Sequence, residues 1–190
     1  MLQEEFLYVY PYSYRLRRRD NRSQDAEAAD SVQTSHFQQP VHRKAMPVPS
    51  IKCQVMRYLV LCTGNRCRSQ MAHGILQNLH PDAEVCSAGV KPASEVHPLA
   101  VKVMAEIGID ISSHYPKNVL QYLDQSWDCV ITVCGGAKEN CPTFIGKVEK
   151  CLHIGFDDPD AFTGSEESVL NEFRRVRDEI RSKMMKLQEL

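Results

Sequence analysis

From Arg57 onward, short apolar runs alternate with stretches whose apolar residues recur every three or four positions. The runs predict strands at 57–62, 83–87, 127–133 and 148–153. The stretches between and after them predict helices at 68–79, 97–107, 117–123 and 165–187. The last helix is the best marked. Val169, Phe173, Val176, Ile180 and Met184 form one apolar stripe, and Thr163 or Ser165 stands where a cap belongs. Strand–helix alternation predicts an α/β fold: a doubly wound parallel sheet with right-handed crossovers and helices on both faces. Ligands of such sheets bind beyond the carboxyl ends of the strands.

Residues 1–56 carry a different pattern. Phe6, Tyr8, Tyr10, Tyr12 and Tyr14 alternate, a charged clump runs from Arg15 to Asp20, and 21–50 are rich in Ser, Gln, Asp, Ala, His and Pro. A stretch like that buries too little apolar surface to offset its ordering entropy, so it reads as a disordered extension ahead of one domain at 57–190. The formal charge of −1 argues against nucleic acid or a membrane surface as partner. No apolar run approaches the roughly 20 residues that span a bilayer. The first residues, Met1 to Leu7, are acidic at once and do not read as a secretory signal. Eight cysteines without such a signal suggest free thiols in a reducing cytoplasm.

The chemistry concentrates where the first strand meets the first helix, in Cys62-Thr63-Gly64-Asn65-Arg66-Cys67-Arg68-Ser69. A strand that delivers a thiol into a tight loop opening into a helix aims backbone N–H groups and the helix dipole at one spot beside the sulfur. Gly64 and Asn65 tolerate the backbone angles of an anion-cradling nest. Arg68 can grip two oxygens of a tetrahedral anion, and Ser69 can give its hydroxyl proton to the sulfur. Cys62 is thus expected to be a nucleophile of lowered pKa, with residues 63–69 as the oxyanion loop. Cys67, at the helix start, fits packing better than chemistry.

Two further segments sit at strand ends. Cys134 follows the third strand, and Cys141 lies seven residues on, across Gly135-Gly136 and a polar stretch. In a helix that spacing is about 10 Å along the axis, beyond the reach of a disulfide unless the segment rearranges. The pair therefore reads as redox-active thiols, a zinc site or two unrelated cysteines. Zinc lacks its usual close ligand spacing here, and no metal is expected. Cys53, Cys86, Cys129 and Cys151 read as core or incidental. After the fourth strand comes Gly155-Phe156-Asp157-Asp158-Pro159-Asp160. An aspartate before proline is held extended, which can aim Asp158 over the cleft as a general acid, with Asp157 left to the turn.

Together these residues resemble the thioredoxin-coupled arsenate reductases, which share a fold with low-molecular-weight protein tyrosine phosphatases. The resemblance covers about 57–186. It is carried by Cys-Thr-Gly-Asn-x-Cys-Arg-Ser-Gln-Met-Ala from Cys62, Ser87-Ala88-Gly89, Ile109-Asp110-Ile111-Ser112, Cys134 with Cys141, Gly155 to Pro159, and Glu172 to Ile180. It implies a four-stranded parallel sheet and a relay without cofactor. In that relay Cys62 attacks arsenate, Cys134 attacks the adduct and releases arsenite, and Cys141 closes a disulfide with Cys134 for thioredoxin to reduce. Phosphate and sulfate, close in shape and charge, would fit the same loop.

The chain departs from the family pattern at Arg66, where a small serine is usual. It departs again at His73, where some members carry a glutamate at a potassium site, so no potassium is carried over. A phosphatase working through a phosphocysteine would use the same loop and acid, and a thiol redox sensor would use only the Cys134–Cys141 pair. The phosphatases tend to carry tyrosines after the Asp-Pro; here Asp160-Ala161-Phe162 follows.

Overall fold

In a computed structural model the described residues are 55–134 and 143–187. The extension expected to be disordered, up to residue 54, lies outside them, as does Cys141. Four strands, β1 (Arg57–Cys62), β2 (Glu84–Gly89), β3 (Trp127–Thr132) and β4 (Val148–His153), form one parallel sheet in the order β2-β1-β3-β4. From β1 the chain passes to β2 on one side and only later to β3 on the other. The order therefore reverses between β1 and β3, and the crevice beyond their carboxyl ends is where such sheets take ligands.

Burial explains why the two central strands read as unbroken apolar runs. Leu59, Val60, Leu61 and Ile131 are fully buried, so both faces of β1 and β3 are covered. β4 is an edge strand and alternates, with Glu149 and Cys151 exposed. At the other end of β1, Arg57 fixes the start of the domain. Its guanidinium meets Glu84 at 2.7 Å and lies 4.5 Å over the Trp127 ring, while its amide donates to Asp128.

Three helices pack together: α1 (Arg68–Leu79), α2 (Pro98–Ala105) and α3 (Glu166–Lys186). Ser165 caps α3 through the Ser168 amide, and Phe173, Val176, Ile180 and Met184 are fully buried, as the stripe requires. Arg177 also goes under on this helix, donating to the Val103 carbonyl and pairing with Glu106 and Asp178. The α2 segment is shorter than expected: His97 is its cap, Pro98 opens it, and it ends at Ala105. The helix expected at 117–123 is only a 3₁₀ turn, Val119–Tyr122. Asn118 bridges Gly89 as an extension of the sheet and then caps that turn, which leaves too few residues for an α-helix.

Candidate active site

Cys62 closes β1 and Arg68 opens α1, so residues 63–67 make the strand-to-helix loop at the crevice. Asn65 supplies the left-handed residue (φ 49°) that the nest needs; among the described residues it is the one non-glycine with positive φ. It is fully buried and works in three directions. Its amide donates to Cys62 Sγ at 2.9 Å, its Nδ2 donates to Ser69 Oγ at 2.8 Å, and its Oδ1 accepts from the Lys117 amide. Ser69 Oγ lies 2.9 Å from Cys62 Sγ. Because that hydroxyl already accepts from Asn65, its own hydrogen is free for the sulfur. Gly89, the register partner of Cys62, completes the cradle: a Cβ there would stand 2.6 Å from the Thr63 carbonyl.

The expected lowering of the Cys62 pKa is not the net result in this geometry. Burial is the largest influence and pushes the thiol up, against hydrogen bonds from Ser69 and the Asn65 amide that pull it down. The neighbouring Cys134 adds a smaller upward push, while the α1 dipole favours the thiolate. Cys67 is buried and its thiol is pushed well above the ordinary range, chiefly by burial and then by Asp160. It caps α1 with backbone only, in keeping with packing.

Cys134 is buried just beyond β3, with its Sγ 3.4 Å from Thr63 Oγ1. The second thiol thus reaches the anion loop directly. Asp158 also comes to the crevice, extended (φ −87°, ψ 106°) before Pro159 as expected. Its Oδ2 accepts from Arg68 Nη2 at 2.5 Å, while Arg68 Nη1 donates to the Phe156 carbonyl at 3.1 Å. Asp157 turns away to Arg175, a local contact.

The side chain of Arg66 does not reach over the loop as a free charge. Its Nε lies 3.2 Å from Asp160 Oδ2, a Coulombic pair without hydrogen-bond alignment, since that buried Nε donates no hydrogen bond. Asp160 Oδ1 is 3.2 Å from His97 Nε2, and the His97 ring lies tilted against Phe173, centroids 4.7 Å apart. The sequence hid this triad, because a histidine before Pro-Leu reads only as a helix start.

Behind the loop a second polar layer was equally hidden. Gln70 is buried and donates to the Asn65 and Tyr115 carbonyls. Its Oε1 lies 3.1 Å from His114 Nδ1 and accepts from Ser87 Oγ. His73 meets Ser87 at 3.2 Å and stacks on His114 at 4.4 Å. Burial, and then the neighbouring imidazole, lower His73 to about 3. His73, the position discussed for potassium, is thus a neutral imidazole.

The chain is similar in sequence or fold to several known proteins. The family model described as low molecular weight phosphotyrosine protein phosphatase matches residues 57–190. An arsenate reductase of Halalkalibacterium halodurans is 49% identical over 121 residues, 63% of this chain and 86% of its own length. One from Bacillus subtilis (strain 168) is 43% identical over 130 residues, 68% of this chain and 92% of its own. A solved arsenate reductase in the phosphate binding state is similar at TM-score 0.55 and 29% identity, over 70% of this chain and 96% of that one. A low-molecular-weight protein tyrosine phosphatase from T. tengcongensis is similar at TM-score 0.58 and 28% identity, over 70% and 98%.

Proposed function

Because this chain belongs to the low-molecular-weight phosphotyrosine protein phosphatase family, alongside the arsenate reductases it is similar to, we propose that it reduces arsenate to arsenite with electrons from thioredoxin. The observation that carries this reading is the buried Cys134 thiol 3.4 Å from Thr63 Oγ1, next to Cys62. Phosphoester hydrolysis has no use for a second thiol. Reduction of arsenic(V) to arsenic(III) takes two electrons, and two thiols supply them on becoming a disulfide.

The thiolate of Cys62 attacks arsenic, forming an S–As bond, and one oxygen leaves as water with a proton from Asp158. Arg68 and the amides of residues 63–69 hold the remaining oxygens. The anion replaces Asp158 on the Arg68 guanidinium, which frees the carboxyl for proton transfer. Cys134 then attacks Cys62 Sγ. An S–S bond forms, the S–As bond breaks, and its electron pair stays on arsenic, which departs as arsenite. Cys141 attacks Cys134 and releases Cys62, and thioredoxin's dithiol then reduces the Cys134–Cys141 disulfide, becoming a disulfide itself.

The test combines purified protein, arsenate, thioredoxin, its reductase and NADPH. NADPH loss matching arsenite formation is expected, and Cys141→Ser should make about one arsenite per enzyme before stalling on an inaccessible Cys62–Cys134 disulfide. Steady turnover by Cys141→Ser would end the three-thiol relay. NADPH loss no faster than background, alongside rapid hydrolysis of an aryl phosphate, would make the protein a phosphatase.

A further inference from the structure

Two arginines of the anion loop hold the same turn. Arg68 reaches Asp158, and Arg66 reaches Asp160 two residues later. The two ties differ in what an incoming anion does to them. Arg68 is the fork that takes up anion oxygens, so binding draws it off Asp158. The Arg66 guanidinium is paired with Asp160 by charge alone, its Nε 3.2 Å from Oδ2. Asp160 also lies, through its other oxygen, 3.2 Å from Nε2 of His97, the residue that caps α2. His97 Nδ1 accepts from the Leu99 amide, so Nε2 carries the ring hydrogen. The His97 amide also donates to the Arg66 carbonyl at 3.0 Å, fixing the loop to α2 at the same point. Within the turn, the Asp160 amide donates to Asp158 Oδ1, so what holds Asp160 also orients Asp158.

We propose that Arg66 and Asp160, backed by His97, form a latch that keeps the Asp158 turn over the anion loop once the anion has drawn Arg68 away. Arg66 is then a positioning residue for the general acid and not a ligand of the anion. The substrate's identity rests on the arsenate reading above; the latch itself is read out with inorganic phosphate.

Hydrogen exchange of the full-length protein, followed at the segment 156–162, tests it with and without saturating phosphate. In the parent protein phosphate should leave exchange of this segment unchanged or slower. In Arg66→Ala and Asp160→Ala phosphate should accelerate it about two- to fivefold, the scale of a partly exposed ion pair. Exchange in α3 should stay the same throughout. Arg66→Lys keeps a cation within reach of Asp160 and should restore the parent pattern.

The phosphate concentration that half-protects Cys62 from alkylation should shift less than about twofold in Arg66→Ala, while single-turnover arsenite formation at saturating arsenate falls about two- to fivefold. Exchange indifferent to phosphate in both alanine variants would overturn the latch. So would a tenfold loss of phosphate affinity in Arg66→Ala, which would make Arg66 an anion ligand. A parent protein that makes no arsenite yet gives the expected exchange pattern would remove the arsenate reading and uphold the latch.

Discussion

At Cys62 Sγ, the Ser69 hydroxyl and the Asn65 amide, each at 2.9 Å, offset part of the burial that holds the proton on sulfur. Ser69→Ala removes the larger of these two pulls, so the thiol pKa rises further and less thiolate exists at neutral pH. Alkylation of Cys62 by iodoacetamide should slow about tenfold near pH 7, the scale of one hydrogen bond to a charged atom, and recover at higher pH. An unshifted pH profile would mean the hydroxyl serves Asn65 alone. Asp158→Asn should slow the first chemical step by about 100-fold in single turnover, the low end of general-acid effects, and remove its limb of the pH profile. An unchanged rate would return Asp158 to the turn. These residues were legible in the sequence because each stands at a strand end, a helix start or before a proline. Arg66 was visible only as an unexpected charge. Its partners Asp160 and His97 lie far along the chain, and nothing local marks a carboxylate that two distant side chains will share.

Between elements, the seam that matters most joins the end of β2 to the anion loop. Gly89 pairs with Cys62, and a methyl group there would meet the Thr63 carbonyl at 2.6 Å and the Asn65 amide at 3.0 Å, both backbone atoms that cannot swing aside. Gly89→Ala must therefore move the loop or the strand. Overpacking of this kind costs about 1–3 kcal/mol, to be measured by urea unfolding. It should also weaken phosphate protection of Cys62, because the displaced atoms belong to the anion cradle. Unchanged protection would show that the strand yields and the loop does not. Elements with a long period or a continuous apolar run, β1, β3 and α3, were readable in the sequence nearly to their ends. The 3₁₀ turn was not, because Asn118 is claimed first by a bridge to Gly89, a tertiary contact that apolar spacing does not record.

Over the whole molecule, the buried imidazoles set how stability responds to acid. His73 and His114 are stacked, and both are lowered first by burial, with Lys117 pushing each in the same direction. As pH falls below the ordinary 6.5, the unfolded chain takes up a proton at His73 that the folded protein refuses until about 3. Stability contributed by the neutral ring is therefore intact above 6.5 and drains away as pH falls toward 3. Between pH 7 and pH 5, His73 alone should remove about 1–2 kcal/mol, at 1.36 kcal/mol per unit of pKa difference. His114 and His97 are lowered by burial too and act in the same direction. The lowered carboxylates, Glu84 and Glu106 beside their arginines, start from ordinary values of 4.5 and lose their contribution mainly below this window. His73→Gln keeps a polar group near Ser87 but cannot take the proton. Urea unfolding at both pH values should therefore find the parent losing more stability than the variant, by about the His73 share. Equal losses would mean that the folded protein accepts a proton at His73 after all, by opening the layer behind the anion loop to water. Phosphate protection of Cys62 would then weaken over the same pH range, because Gln70 ties that layer to Asn65.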